Sequence, residues 1–210
     1  MNSLFPSEKI IFDLPNAEIE YFPHLFDVEK SDLLFDKLYN EIPWQQDEIR
    51  VYGKNHLQPR LTALFGNEGK PYSYSNIVMQ PHAWTPLLTY IKEEVENQSG
   101  QKFTTVLLNL YRDGKDSNGW HSDNEKELGR NPVIASVSFG AERPFHLQHN
   151  SIKEAIRSGA ELSVAKQKII LQHGSLLVMK GETQHFWKHQ IPKTAKAIGP
   201  RINLTFRIIK

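Results

Sequence analysis

The segment NGWHSDNE sets His121 and Asp123 two residues apart. On an extended chain, side chains two apart point the same way, so an imidazole and a carboxylate share one face. Both are good donors to a transition metal, but a stable site needs a third ligand from elsewhere. The later histidines are His146, His149, His173, His185 and His189. HFWKHQI, read as one strand, puts His185 and His189 on one face but ~13 Å apart, at ~3.3 Å per residue. One ion cannot take both. His185 adjoins the turn KGET, whereas His189 lies deeper in the strand, so His189 is the expected third ligand. His146, His149 and His173 are expected to cap or line strands.

Two imidazoles and a carboxylate on a rigid β framework form the facial trio of non-haem iron(II) oxygenases, with three coordination positions left open. An α-keto acid can fill two of them and dioxygen the third. A dicarboxylic keto acid also needs a cation for its far end, and RINLTFR supplies candidates. There Arg201, Asn203, Thr205 and Arg207 alternate with Ile202, Leu204 and Phe206, the periodicity of a strand with one apolar face. Alternation alone reads as an edge strand with its polar face in water. Beside a metal trio the same residues read differently. Arg201 can grip a carboxylate with a planar fork, and Arg207 stands six positions on, ~20 Å along the strand. Reaching inward, the two could bracket a small dicarboxylate. LNLYRDG adds Asn109 and Tyr111 on one face as neutral donors.

Helices and strands must hold these groups in place. DVEKSDLLFDKLYNEIP puts Leu34, Leu38 and Ile42 on one helical face and is stopped by Pro43. TPLLTYIKEEVENQSG has Thr85 as N-cap, Pro86 at the first helical position and Gly100 past the end. Between them, DEIRVYGKNHLQPRLTALFG reads as a hairpin turning near Gly53. From Phe103 onward strand-like runs dominate: FTTVLLNLYR, VIASVSFG, RPFHLQH, QKIILQH, GSLLVM, HFWKHQI and RINLTFRII. Turn clusters such as DGKDSNG and KGET separate them, and SIKEAIRSGAEL interrupts as a loop or short helix. There is no internal repeat. Two helices followed by many short strands suggest an α+β chain built on a jelly-roll β-sandwich.

With 210 residues, one domain with a sizeable core is expected. Cysteine is absent, which excludes disulfides, thiolate metal sites and cysteine nucleophiles and fits a reducing compartment. No signal peptide is expected from MNSLFPSEKIIFDLP, and no apolar run nears the ~20 residues that span a membrane. The net charge of +1 conceals an asymmetry. Met1 to Glu48 holds eleven acidic and three basic residues, a balance of −8, so the remainder carries +9. His185 to Lys210 has six Lys or Arg and no acid. Such a split suits a polyanion on one face; solvated lysines are the plainer alternative.

Taken in order, NLYRDG, GWHSDNEKEL, IASVSFGAERPF, GSLLVM, WKHQIP and PRINLTFR strongly resemble the AlkB family of Fe(II)- and 2-oxoglutarate-dependent nucleic-acid dealkylases, most of all the branch of the vertebrate duplex-DNA repair member. The likeness runs from about Phe22 to Ile208. It implies a double-stranded β-helix with an N-terminal nucleotide-recognition lid. The whole chain, 1–210, would be one dioxygenase domain, with helices and lid over 1–102 and the catalytic jelly-roll core over 103–210. It implies iron(II) on His121, Asp123 and His189, and 2-oxoglutarate held by Asn109, Tyr111, Arg201, Asn203 and Arg207, with Thr205 close by.

The resemblance also implies substrate residues. Tyr52, in the hairpin VYGKNH, matches an aromatic wedge, and Arg60 a lid arginine near the target base. Tyr74 matches the ring that stacks on the flipped base, with Tyr72 and Ser75 in the same pocket. Asn124 stands where the relative has an acidic residue, while Glu125 is retained. The implied reaction is oxidative: dioxygen and 2-oxoglutarate are consumed, an alkyl carbon on a base nitrogen is hydroxylated, and aldehyde leaves the repaired base. A stacked base is out of reach, so it must be flipped out or single-stranded. The expected partner is alkylated DNA, single- or double-stranded, with RNA as a further candidate, and the expected lesions include 1-methyladenine and 3-methylcytosine. The protein is expected to be an intracellular monomer away from membranes, cytoplasmic if bacterial and nuclear if eukaryotic. Rival readings are a related oxygenase acting on RNA, protein or a small molecule, a zinc hydrolase with the same trio, and a non-catalytic jelly-roll binding module.

Overall fold

The computed structural model describes residues 9–51, 54–67, 72–74, 77–152 and 165–210, with the backbone alone for the strand residues within 49–55 and 72–79. Tyr52, Gly53, Ser75 and residues 153–164, which take in most of the SIKEAIRSGAEL segment, lie outside the described residues.

Both expected helices form where their caps allow. Helix α1, Val28–Glu41, starts at Asp27, whose carboxylate accepts from the Lys30 N–H, and turns Leu34 and Leu38 inward. Ile42 is already extended, as the residue before a proline prefers. Helix α2, Pro86–Ser99, is capped by the Thr85 hydroxyl and closed by Gly100 at φ 69, the left-handed conformation glycine adopts without a Cβ clash.

Two antiparallel sheets make the jelly roll. The larger runs β1-β2-β13-β10-β15-β8-β5, that is Ile10–Phe12, Glu18–Phe22, Ser175–Lys180, Ile134–Gly140, Arg201–Arg207, Thr105–Tyr111 and Leu61–Gly66. The smaller runs β12-β11-β14-β9, that is Lys166–Leu171, Arg143–His149, Trp187–Ile191 and Asn118–His121. Two hairpins, β3–β4 (Glu48–Val51, Lys54–Leu57) and β6–β7 (Tyr72–Tyr74, Ile77–Met79), form sheets of their own.

One core layer lies between the helices and the larger sheet. There Leu34, Leu38, Leu88, Ile91 and Val95 meet Val106, Leu108, Val137, Ile202, Leu204 and Phe206. The second lies between the sheets, where Leu107, Leu177 and Met179 meet Phe145, Leu147, Ile169 and Trp187. Because β15 sends alternate residues to opposite faces, its apolar set serves the helix layer. Its polar set must therefore face the smaller sheet. Strand β15 is no edge: it lies between β10 and β8, and all seven of its residues are buried.

Three expectations need correction. Strands β1 and β2 precede the first helix, and β2 pairs directly with β13; runs of three and five residues are too short to show a period. Strand β5 also joins this sheet, which therefore draws strands from both sides of the helix α2. HFWKHQI is not one strand. Thr183–Phe186 forms a helical turn in which the His185 and Phe186 N–H groups donate to the Glu182 carbonyl, and β14 starts only at Trp187. Finally, Arg201 and Arg207 are interior, so the basic C-terminal segment offers solvent only Lys188, Lys193, Lys196 and Lys210.

Candidate active site

His121 ends β9 and Asp123 follows it, while His189 is the Cα partner of His121 on β14. Their donor atoms lie within 4.8 Å of one another, the one such group of three among the described residues. The rings of His121 and His189 are 4.2 Å apart. His121 Nδ1 is 2.7 Å from the Gly119 carbonyl, to which it donates, so Nε2 keeps its lone pair. A hydrogen bond at the far nitrogen is how a metal-binding histidine is oriented. The Asp123 carboxylate accepts from Arg207 Nη2 at 2.7 Å, and its N–H donates to the Gln184 side chain at 2.8 Å.

Electrostatics prepare these donors. Burial works to raise the Asp123 carboxyl, but Arg207 and the two imidazoles outweigh it and hold the group well below the usual carboxylate range. Burial, reinforced by His121, pushes His189 down to about 3 against the pull of Asp123. Burial also lowers His121. At neutral pH the trio is therefore one anion and two neutral imidazoles, the protonation state metal binding requires. Two nitrogens and one oxygen suit iron(II), so the donor set fits that ion.

Across the cavity, β15 presents its polar row. Arg201 is 1% exposed and donates from Nη2 to Ser138 Oγ at 2.8 Å, while its Nε and Nη1 are buried without a partner. Burial lowers this guanidinium to about 10, which leaves it charged at neutral pH. Buried donors left unmade cost about 1–3 kcal/mol each, and an anionic ligand would satisfy them. Arg201 also stands over the Tyr111 ring at 5.2 Å. Asn203 donates to Ser136 Oγ and the Val137 carbonyl, and Thr205 donates to Asn203. Asn109, Tyr111, Arg201, Asn203, Thr205, Arg207 and the metal trio all line one cavity of ≈ 470 Å³, counting its mouth. A dicarboxylate fits this donor set, with one end on Arg201 and the other toward the trio.

The sequence pattern of the 2OG-Fe(II) oxygenase superfamily matches residues 18–207. The chain belongs to that superfamily. Within it, the chain belongs with the AlkB homologues. It is 43% identical over 188 residues to the bovine alpha-ketoglutarate-dependent dioxygenase alkB homolog 3, covering 89% of this chain and 64% of that protein. It is 39% identical over 188 residues to the human DNA oxidative demethylase ALKBH2, covering 88% and 71%. The chain thus spans just under two thirds of the alkB homolog 3 relatives it matches. The solved structure of OsALKBH1 covers 96% of this chain and is itself fully covered, with a TM-score of 0.63 at 14% identity, a likeness of fold.

Of the residues expected to meet substrate, Arg60, Asn124 and Glu125 are described with their side chains, and none of these three lines the cavity. Arg60 is buried, with Nε donating to Asn109 Oδ1 at 2.7 Å and Nη1 to the Ser117 carbonyl at 3.3 Å. It is thereby tied to the wall that carries Asn109. Asn124 is exposed and Glu125 half-buried, on the turn that leaves Asp123. Tyr72 and Tyr74 lie on β6 opposite Met79 and Ile77. His146, His149 and His173 join no metal group. His173 accepts from the Gly140 N–H and contacts Asp32, and His149 contacts Ser151. His185 contacts Asn131.

Sequence reasoning passed over four supporting groups. Ser136 and Ser138 alternate in VIASVSFG, a signal that was available: two hydroxyls on one face of a central strand need partners. Arg143 donates to the carbonyls of Asp113, Asp116 and Pro192 and lies 5.9 Å from the Tyr111 ring, so it braces that ring from behind. Gln184 carries no local signal, because its partner is 61 residues away.

Proposed function

We propose that this protein removes alkyl groups from base nitrogens of DNA by oxidation, using iron(II), dioxygen and 2-oxoglutarate. The observation that carries the reading is the polar row of β15, aimed between the sheets at the His121–Asp123–His189 trio and ending in Arg201, whose buried donors are in part unpaired. A hydrolytic zinc site would have no use for that row. When bound, the iron and 2-oxoglutarate together supply the hydroxylation of the alkyl carbon. Loss of aldehyde from the resulting N-hydroxyalkyl group then regenerates the base.

The chain's own residues bind and orient. Arg201 takes the far carboxylate of 2-oxoglutarate, with Ser138 fixing the guanidinium plane. Asn109 and Tyr111 donate beside it. Arg207 keeps Asp123 anionic, and Gln184 holds the backbone of the loop on which Asp123 sits. Arg60 links the target-base side to Asn109. Tyr52, Tyr72, Tyr74 and Ser75, with Asn124 and Glu125, are assigned to the base and its neighbours. The name of the relative ALKBH2, a DNA oxidative demethylase, supports DNA over other substrates.

Succinate release from 2-oxoglutarate with iron(II), measured across alkylated oligonucleotides, tests this. Release should rise with oligonucleotides bearing 1-methyladenine or 3-methylcytosine, with aldehyde formed in equal amount. If no alkylated DNA or RNA raises it above the substrate-free level, the dealkylase reading fails.

A further inference from the structure

We propose that the outward face of the four-stranded sheet is a second binding surface, which takes a single-stranded polynucleotide with one base stacked on Trp120. The choice of a polynucleotide rests on the dealkylase reading; the surface itself is read from the sheet.

Strand β9 departs from regular pairing. His121 lies opposite His189 and Asn118 opposite Ile191, so three steps on β9 match two on β14. A bulge of this kind re-aims side chains. Here it lets Asn118 and His121 both face the cavity, where the Asn118 amide lies 3.2 Å from His121 Nε2. Trp120 is turned out instead and is 43% exposed. This indole, one residue from His121, belongs to neither core cluster of the described residues.

Its surroundings are basic. The four strands contain no Asp or Glu, and their outward positions carry Lys166, Lys168 and Lys188. Register aligns Lys188 with Gln148 and Gln148 with Lys166 in one cross-strand row, and His146 with Lys168 in the next. Lys166 and Lys168 are therefore ~6.6 Å apart along β12, and Lys188 stands two strands, or ~9.6 Å, from Lys166. None of the three pairs with a carboxylate among the described residues, whereas Lys9 and Lys180 pair with Glu20, and Lys102 with Glu96. Trp120, His146, Gln148, Lys166 and Lys168 line one open concavity of ≈ 680 Å³, counting its mouth. An aromatic platform within a lysine-lined groove is the combination that binds single strands. A duplex keeps its bases stacked, so it offers this indole no free face. Because β9 is the edge of its sheet and carries His121 inward, a strand held here runs to the rim of the active site.

The test is binding of the 210-residue chain to a short fluorescein-labelled oligothymidylate without any alkyl group, followed by anisotropy over a range of salt. Trp120→Ala should weaken binding about tenfold, the size of one lost base stack, while Trp120→Phe keeps most of it. Lys166→Gln with Lys168→Gln should reduce the slope of log K against log salt by about 1.4, for two phosphates on a single strand. Melting curves should match the parent. Unchanged affinity in Trp120→Ala overturns the stacking site even if the lysine variant binds less, since that leaves plain electrostatic attraction. Unchanged affinity in both overturns the surface altogether. Neither measurement uses turnover, so a face that fails while alkylated DNA is still repaired, and a face that binds while no repair is found, are distinct results.

Discussion

The two walls of the cavity are built differently. The wall of the larger sheet is a central strand, β15, with neighbours on both sides and every residue buried. Its polar groups are braced by hydroxyls of β10, Ser138 on Arg201 and Ser136 on Asn203. The wall of the smaller sheet is an edge strand with a bulge, then a loop, and His121 on it is only half-buried. One wall is a rigid anion socket, and the other is a partly open metal seat. Arg207 to Asp123, at 2.7 Å, is the bond that joins them. The division suggests that damage to the open wall removes chemistry, whereas damage to the closed wall removes co-substrate affinity.

The largest effect should come from the open wall. Asp123→Ala or His189→Ala should reduce turnover to background and weaken iron(II) binding, measured by titration of the metal. His185→Ala should change both little, because His185 sits on the helical turn and contacts Asn131. Loss of iron in His185→Ala with retention in His189→Ala would reassign the distal ligand.

Next comes the closed wall. Removing one partner of a buried charge pair costs about 3–5 kcal/mol, so Arg201→Ala should raise the 2-oxoglutarate concentration needed for half-maximal turnover at least a hundredfold. Iron binding should be largely kept, which separates the walls. Arg201→Lys should rescue poorly, since an ammonium cannot reproduce the fork that reaches Ser138 and a carboxylate together. An unchanged 2-oxoglutarate dependence in Arg201→Ala would remove this residue from the site.

The closed wall was also the more legible one in the sequence. Period-two alternation survives in a central strand, so Arg201, Asn203, Thr205 and Arg207 could be assigned to one face before any contact was known. What alternation could not say is which face meets water, because that depends on the helices that cover Ile202, Leu204 and Phe206. The helices announced themselves through Asp27, Thr85, Pro86 and Gly100, whose capping chemistry is local. The open wall was harder. His121 and Asp123 share a face across an irregular strand end, and the bulge that sends Trp120 outward leaves no trace in spacing. Gln184 was invisible for the same reason, being a long-range partner on a helical turn that reads as strand. Strands β1 and β2 were lost to their shortness.

A smaller effect should follow from that hidden glutamine. Gln184→Leu removes the acceptor for the Asp123 N–H without touching a metal donor, and the loop carrying Asp123 should loosen. Supporting contacts of this kind are worth about tenfold to a hundredfold in metal affinity. Iron titration should show a loss in that range, with the 2-oxoglutarate dependence nearly unchanged when iron is saturating. A parallel loss in both would mean that the two walls yield together, and the contrast between them would be wrong.

The smallest expected effect is on stability against acid. Burial holds His189 at about 3 in the folded protein against 6.5 for a free imidazole. As pH falls through 6.5 the unfolded chain takes up a proton that the folded chain refuses, so folding weakens with acid. Asp123 stays ionised throughout this window, because its folded pKa lies far lower and its unfolded value near 3.8. From pH 6.5 to 5.5, one such histidine should cost about 1 kcal/mol, or roughly 2–4 °C in Tm for a chain of this size. His189→Gln is neutral at every pH and cannot contribute. In iron-free protein, the fall in Tm between those two pH values should therefore be smaller for His189→Gln than for the parent by that amount, with His121 still contributing to both. Equal falls would mean that His189 accepts a proton within the fold despite its own burial.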